Sequence, residues 1–138
     1  MKKTPDPSVP VFSPALPKVY EYPLAEGWVA MAGKTDLDND LLSLKTAGPN
    51  DWWFHVRGMP GSHVILVGNQ DEEPSNELLR QAAAVAAYHS KARDGGTVSV
   101  SATRARYVSK PRGAKPGTVT IRKEIVLKVR PGIPKPPP

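Results

Sequence analysis

The chain is 138 residues long, which suits one domain with a core of its own. It contains no cysteine, so disulfide frameworks and thiolate metal sites are excluded and a reducing compartment is compatible. Lysine and arginine number 19 against 13 acidic residues, a net charge of +6 that is typical of proteins with phosphate-rich partners.

No segment has the roughly 18 consecutive apolar residues of a membrane span. The N-terminal Met-Lys-Lys is followed by Pro5, Asp6 and Pro7 rather than by an apolar run, so it does not read as a signal peptide. We therefore expect a cytoplasmic protein.

Proline and charge are unevenly distributed along the chain. Proline is concentrated in residues 1–18 and 131–138, and because it lacks an amide donor these ends are predicted to be disordered, extended tails around a domain at 19–130. A proline-rich ligand for another protein is the alternative for the C-terminal tail. Residues 97–138 carry ten Lys or Arg and one acidic residue, Glu124, and this segregation favours a binding face.

The first half of the domain predicts two strands that flank a helix, then another strand. Residues 28–31 predict a strand ended by Gly33, and Thr35 or Asp36 can cap a short helix. The apolar face of that helix is predicted to consist of Leu37, Leu41 and Leu44. Residues 51–57 and 63–67 predict antiparallel strands joined by a tight loop at 58–61.

The second half begins with the longest helix, predicted to run from Ser75 to about Arg93. Its buried stripe is mostly alanine, which implies close packing against a sheet. Strands are predicted at 98–108, 118–121 and 125–129, the last two as a hairpin. The fold class is therefore α+β, with a mainly antiparallel sheet, one long Ala-rich helix and one short helix.

The strand at 51–57 carries the most distinctive side chains. Since side chains alternate faces along a strand, Trp52, Phe54 and Val56 are predicted to face the core. The opposite face then presents Trp53, His55 and Arg57, which together could stack on a base and hold a phosphate. The alternative is that Trp53 packs under a helix and that His55 is a buried structural histidine.

The turn after this strand is a second candidate. Gly61 permits close approach of a ligand to the backbone, the free amides could form an anion nest, and Ser62 supplies a hydroxyl. His63 could donate to a phosphate once protonated, or it could hold the loop in place. The alternative is a turn that only joins two strands.

The third candidate is a basic segment at residues 104–115. It contains five cations within twelve residues, two on one predicted strand face and three on a loop punctuated by proline and glycine. Cations on such a semi-rigid loop could follow a phosphate backbone, and a solvated loop is the alternative. The five are Arg104, Arg106, Lys110, Arg112 and Lys115.

Catalytic and metal sites are weakly indicated. His55 and His63 on neighbouring strands could converge with Asp51, either as metal ligands or as the acid and base of a small RNA-processing nuclease. No His-Glu-x-x-His pattern is present, and a Ser62–His63 pair lacks the strand-turn-helix setting of a hydrolase serine. We expect no cofactor, no metal and no enzyme activity.

Three stretches together resemble the RNA-binding domain of the NFACT family, NFACT-R. They are Asp51-Trp-Trp-Phe-His-Val with Pro60-Gly-Ser-His-Val, Ala83-Ala-Val-Ala-Ala-Tyr-His-Ser-Lys-Ala-Arg93, and Val108-Ser-Lys-Pro-Arg-Gly-Ala-Lys-Pro-Gly117. Asn39-Asp40 with Lys45 also matches the family's pattern. The resemblance spans residues 27–129 in order.

The resemblance implies a role near the ribosome. NFACT proteins such as bacterial RqcH and the fibronectin-binding-like proteins act on obstructed large ribosomal subunits, recruit tRNA and promote untemplated tailing, and NFACT-R is their RNA-contact module. A chain of 138 residues has no room for the other NFACT domains and resembles a stand-alone bacterial form. We therefore carry over RNA binding, to tRNA or rRNA and with the large ribosomal subunit as a partner, but not tailing. A protein-interaction adaptor at the ribosome is the other alternative.

Overall fold

A computed structural model describes residues 16–69 and 71–135. The main sheet contains β1 (Val19–Pro23), β2 (Val29–Gly33), β3 (Trp52–Val56), β4 (Val64–Val67), β5 (Val98–Arg104) and β8 (Ile125–Val129). Its spatial order is β1-β2-β4-β3-β5-β8, and every neighbouring pair is antiparallel. A separate antiparallel pair consists of β6 (Val108–Ser109) and β7 (Thr120–Ile121). The predicted α+β class with a mainly antiparallel sheet is confirmed.

One face of the main sheet is covered by the long helix α2 (Asn76–Tyr88). Ser75 caps this helix by accepting from the amide of Leu78. Its buried stripe is alanine-rich, as predicted, so the helix backbone approaches the sheet closely and packs on Phe54 and Val100. Phe54 and Val56 are buried and Trp52 packs half-buried against the same core, which confirms the predicted division of β3 into two faces.

The opposite face of the main sheet has a smaller core. The short helix α1 (Asp36–Leu41), a π-helical turn (Leu42–Thr46) and the β6–β7 pair supply its cover. Leu42, Trp53, Ile65 and Val108 are buried there. The sheet is therefore the middle layer of three, and the second cover stops short of the end of β3.

The predicted apolar face of the short helix is wrong at Leu37, whereas Leu44, in the π-helical turn, packs against the smaller core. Leu37 is 61% exposed, and the helix instead buries Asp38, Asn39 and Asp40. These polar side chains are buried because each accepts hydrogen bonds from backbone groups of other segments, so that no acceptor is stranded. The predicted cap by Thr35 is confirmed, since its hydroxyl accepts from the amide of Asp38.

Two predicted boundaries are also wrong. The long helix ends at Tyr88 rather than near Arg93, because the segment after it turns to meet the β3–β4 loop in a single bridge between Gly61 and Ser90. The predicted strand at 98–108 breaks after Arg104 into a 3-10 turn (Ala105–Tyr107). The first strand, β1, was not predicted.

The predicted hairpin of 118–121 with 125–129 does not form. β7 pairs with β6, and β8 pairs with β5. The chain changes sheets between them because the buried Thr103 hydroxyl donates to the carbonyl oxygens of both Arg122 (2.7 Å) and Lys123 (3.3 Å).

The predicted tails fall mostly outside the described residues, namely at 1–15 and 136–138. Residues 131–135 have no helix or strand, and the amide of Gly132 donates to the carbonyl oxygen of Ala84 on α2. Within the described parts of the chain, no helix is long and apolar enough to cross a bilayer.

Candidate nucleic-acid interface

The uncovered end of β3 opens into a cleft of about 330 Å³, which we call the central cleft. Arg57 stands exposed at its rim, with 51% of its side chain accessible and Glu124 3.8 Å away. His55 is half-buried, and its ring lies 6.0 Å from that of Trp53. The full lining is Trp53, His55, Val56, Arg57, Gly58, His63, Ser101, Gly117, Thr118, Val119, Ile121 and Glu124.

Trp53 is not the exposed stacking platform that its strand position suggested. It is 3% exposed, because α1, the π-helical turn and β6–β7 cover this part of the sheet. Its indole Nε1 donates to the Ser43 hydroxyl over 3.0 Å. The alternative in which Trp53 packs beneath a covering element therefore describes the structure.

A chain of buried hydrogen bonds continues from Trp53. The Ser43 oxygen lies 2.9 Å from His63 Nδ1, and His63 Nε2 lies 3.2 Å from the carbonyl oxygen of Gly117. Because an indole only donates and a carbonyl only accepts, Ser43 must donate to Nδ1 while Nε2 carries the imidazole proton. Every polar group in the chain is then satisfied, and the histidine tautomer is determined.

His63 holds the loop in place rather than contacting a phosphate. It is 2% exposed, and burial, followed by the charge of His55, lowers its pKa to about 4. Burial also lowers the pKa of His55. Both imidazoles are therefore neutral near pH 7, so the positive charge at the central cleft comes from arginine and lysine.

The loop of residues 110–118, which we call the cationic loop, is held against α1 by a hydrogen bond and an ion pair. Asp40 accepts from the amide of Gly117 over 3.0 Å and pairs with the Lys110 ammonium over 3.0 Å. That ammonium also donates to the carbonyl oxygens of Lys115 and Thr118. Since its three N–H groups are all used, the prediction that Lys110 contacts RNA is not supported; Lys110 is a structural residue.

The remaining cations of this loop point to solvent. Arg112 and Lys115 are exposed, and neither has a carboxylate partner among residues 16–69 and 71–135. Gly117 and Thr118, the last two residues of the loop, line the central cleft. The structure therefore brings two of the predicted clusters together, the β3 row and the basic loop.

The predicted anion nest at residues 60–63 is wrong. The Ser62 amide donates to the His89 carbonyl and the His63 amide donates to Asn39 Oδ1, so neither is available to a ligand. The Ser62 hydroxyl donates to the Gly33 carbonyl. A Cβ on Gly61 would lie 2.8 Å from Ser90 Cβ, so glycine is required here for packing against the segment after α2.

Arg104 and Arg106 lie in a different place, a second cleft next to the turn at residues 48–51. Arg104 pairs with Glu73, donates to the Asn50 carbonyl and lies over the Trp52 ring, so its guanidinium is occupied. Arg106 is exposed on the 3-10 turn and donates to Asn50 Oδ1 over 2.9 Å. The predicted common strand face for the two arginines is wrong, because the strand ends between them.

The structure does not bring Asp51 together with His55 and His63, as the nuclease alternative requires. Asp51 lines the second cleft, whereas His55 and His63 line the central cleft with ring centroids 5.3 Å apart. One Asp51 oxygen accepts from the Gly48 amide. Across residues 16–69 and 71–135, no three His, Cys, Asp or Glu side chains are grouped so that they could hold a metal ion.

Two surfaces were missed from sequence. Tyr20 stacks on His89 with centroids 4.6 Å apart, and Lys34 lies over the Tyr20 ring beside the Gly61–Ser62 turn. Around Tyr107, three cations gather from two separate predicted elements, Arg106 from a strand and Arg122 with Lys123 from a hairpin turn. In the sequence, the adjacent cations Arg122 and Lys123 could have indicated this surface. The hairpin prediction placed them in a turn instead.

Comparison with known proteins gives one family. The model of the NFACT protein RNA binding domain matches residues 18–123. The Rqc2 homolog RqcH of Streptococcus suis is 44% identical over 103 residues, and that of Bacillus subtilis is 37% identical over 118 residues. These matches cover 75% and 86% of this chain but 18% and 20% of the relatives, so the chain spans about a fifth of their length.

A solved structure shares the fold. The C-terminal part of the fibronectin/fibrinogen-binding protein from Streptococcus suis superposes with a TM-score of 0.77 and is 36% identical in sequence. The match covers 90% of this chain and 49% of that one.

Proposed function

Because the chain belongs to the family of NFACT protein RNA-binding domains, we propose that it binds tRNA or rRNA at the central cleft and the cationic loop. The observation that carries this proposal is the placement of Arg57 at the cleft rim next to a loop that presents Arg112 and Lys115 to solvent. Phosphate contacts from such cations supply most of the affinity for nucleic acid.

The rigidity of the cationic loop supports this proposal. Asp40, Lys110 and His63 hold both ends of the loop through hydrogen bonds, so Arg112 and Lys115 are presented at a small entropic cost. The central cleft lies within the usual size range of ligand pockets and offers neutral polar groups on His55 and Ser101. These groups suit a ribose or a base edge, while the arginines and Lys115 suit phosphates.

The setting that we propose is the large ribosomal subunit, in a process related to ribosome quality control. The support is the resemblance to NFACT proteins and the similarity to the two RqcH proteins. Tailing activity is not part of the proposal, since the chain corresponds to a fifth of those relatives.

RNA binding is tested by fluorescence anisotropy with labelled tRNA at low salt. We expect saturable binding that Arg57→Ala weakens about threefold or more, because one phosphate contact is lost. Arg80→Ala is the matched control, since Arg80 is an exposed arginine on α2, across the sheet from the central cleft. Absence of binding by the parent protein would disprove the proposal. An equal loss of affinity in both variants would show that the RNA does not bind at the central cleft.

The ribosomal setting needs a separate measurement. Tagged protein from cell extract should sediment with large subunits, and brief RNase treatment should release it if it is held by RNA. Sedimentation that survives digestion of the RNA would favour the protein-interaction adaptor, and a protein that stays at the top of the gradient would contradict the ribosomal setting.

A further inference from the structure

Three cations surround the ring of Tyr107. The Arg106 guanidinium lies 5.3 Å, the Arg122 guanidinium 5.6 Å and the Lys123 ammonium 5.1 Å from the ring centroid. All three side chains are exposed, and the tyrosine is half-buried between them. Each cation lies within the distance at which an aromatic face attracts a positive charge, and the three like charges repel one another.

Among the described residues, no acidic side chain neutralises this group. In the parts of the chain that the structure describes, none of the three cations has a carboxylate oxygen within 4.0 Å. Glu124 is adjacent in sequence, but its carboxylate is 3.8 Å from Arg57. The pKa of Tyr107 is lowered, first by hydrogen bonding from the Arg106 side chain and then by the charge of Lys123, as expected for a phenol close to several cations.

The backbone holds these cations in place. The hydroxyl of Thr103, 1% exposed, donates to the carbonyl oxygens of Arg122 and Lys123, and the Arg122 amide donates to the Tyr107 carbonyl over 3.1 Å. Arg106 is oriented by Asn50. Lys123 has a φ of 53°, in the left-handed region that costs a non-glycine residue about 1 kcal/mol. Strain of this kind persists where the surrounding structure fixes the backbone, here through the Thr103 hydroxyl.

We propose that Arg106, Tyr107, Arg122 and Lys123 form a binding site for one phosphodiester of the RNA backbone. The phosphate oxygens accept from the two guanidiniums and the ammonium, and the tyrosine hydroxyl donates to the same group. This inference rests on the proposed function for its ligand, and it adds a site that is distinct from the cationic loop.

The position of the site extends the path of the RNA. Arg122 and Lys123 lie between Ile121 and Glu124, which line the central cleft, whereas Arg106 lines the second cleft. A strand whose sugar or base occupies the central cleft therefore leaves it across the Tyr107 site. The cationic loop borders the same cleft at Gly117, so the two sets of cations hold different phosphates of one strand.

The first test compares Arg122→Ala with Arg80→Ala by fluorescence anisotropy on labelled tRNA across a salt series. We expect Arg122→Ala to weaken binding about five- to tenfold and to reduce the slope of log affinity against log salt by about one, as for one lost phosphate. Arg80→Ala removes the same charge and is expected to change neither. Equal effects of the two variants, or none from Arg122→Ala, would overturn the site and leave RNA binding by the domain intact.

The second test separates binding from folding. Lys123→Gly removes a cation and relieves the left-handed strain, so it should leave the melting temperature unchanged or raise it while weakening RNA binding about fivefold. Unchanged affinity in this variant would overturn the inference. A parent protein that binds no RNA would overturn both the inference and the proposed function.

A third comparison distinguishes a backbone phosphate from a terminal one. The loss caused by Arg122→Ala is measured on one RNA oligonucleotide with and without a 5′-phosphate, and we expect the same loss on both. A loss confined to the 5′-phosphorylated RNA would show that the site binds a terminal phosphate instead of a phosphodiester.

Discussion

His63 donates from Nε2 to the carbonyl oxygen of Gly117, 54 residues further along the chain. This bond joins the residue that precedes β4 to the C-terminal part of the cationic loop. It is formed by a buried, neutral imidazole, and it places Gly117 in the wall of the central cleft. The position of Gly117, and with it the course of the cationic loop, therefore depends on a buried histidine side chain.

The buried His63 predicts loss of stability in mild acid. Its pKa is 6.5 when unfolded and about 4 when folded, so below pH 6.5 the unfolded chain takes up a proton that the folded chain cannot. The free energy of unfolding should fall by about 3 kcal/mol through His63 between pH 7 and pH 4. Urea titrations at several pH values measure this.

His63→Gln is the control for that acid effect. The variant should lose most of the pH slope and keep the part that comes from His55 and His89, whose pKa values burial also lowers. A variant with the full slope of the parent would show that another group is responsible.

Gly117 and Gly113 form a matched pair of glycines on the cationic loop. Both have positive φ, at 85° and 78°, but a Cβ on Gly117 would lie 2.9 Å from Asp36 Oδ1 whereas a Cβ on Gly113 meets nothing within 4 Å. Gly113→Ala should cost about 1 kcal/mol from backbone strain alone. Gly117→Ala should cost about 2–3 kcal/mol, because it also displaces the loop from α1. Thermal melts of both variants measure these costs. Equal costs would contradict the close contact between Gly117 and α1.

Lys110 and Lys115 should have opposite roles although they lie five residues apart. Lys110→Ala leaves Asp40 and two carbonyl oxygens without their ammonium donor and should destabilise the fold by about 1–3 kcal/mol. Lys115→Ala removes an exposed side chain and should change stability by less than about 0.5 kcal/mol. Chemical denaturation of both variants provides the measurement. If the two destabilise equally, Lys110 is not a structural residue.

The two exposed cations of the loop should act on RNA affinity alone. Arg112→Ala with Lys115→Ala should weaken binding to all RNAs alike and flatten the dependence on salt, because phosphates carry no base identity. Filter binding with two unrelated RNAs at several salt concentrations tests this. Selective loss on one RNA, or an affinity independent of salt, would contradict a backbone contact.

Gly61→Val should act on stability, because a Cβ at this position would lie 2.8 Å from Ser90 Cβ. We expect a loss of stability of about 1–3 kcal/mol from overpacking. Thermal melting measures it, with Gly132→Ala as the control since nothing lies within 4 Å of its Cβ. An unchanged melting temperature would show that the turn can shift to accommodate the valine side chain.

The sequence alone determined those features that depend on neighbours along the chain. The alternation of β3, the caps at Thr35 and Ser75, the alanine stripe of α2 and the family motifs all rest on residues within a few positions of one another. These were enough for the fold class, the family and the composition of the β3 row. Charge segregation indicated the basic loop in the same way.

Only the tertiary structure decided which polar groups are available to a ligand. Trp53, His63, Lys110 and Arg104 each resemble a ligand-binding residue in sequence. Each is occupied by a partner at least five positions away, up to 70 for the pair of Lys110 with Asp40. Conversely, Arg122 and Lys123 lie near Tyr107 because the chain changes sheets between β7 and β8, where the Thr103 hydroxyl binds their carbonyl oxygens. Hydrogen bonds and burial between distant segments produce no periodic pattern in the sequence. These long-range contacts determine which cations are structural and which are exposed to a ligand.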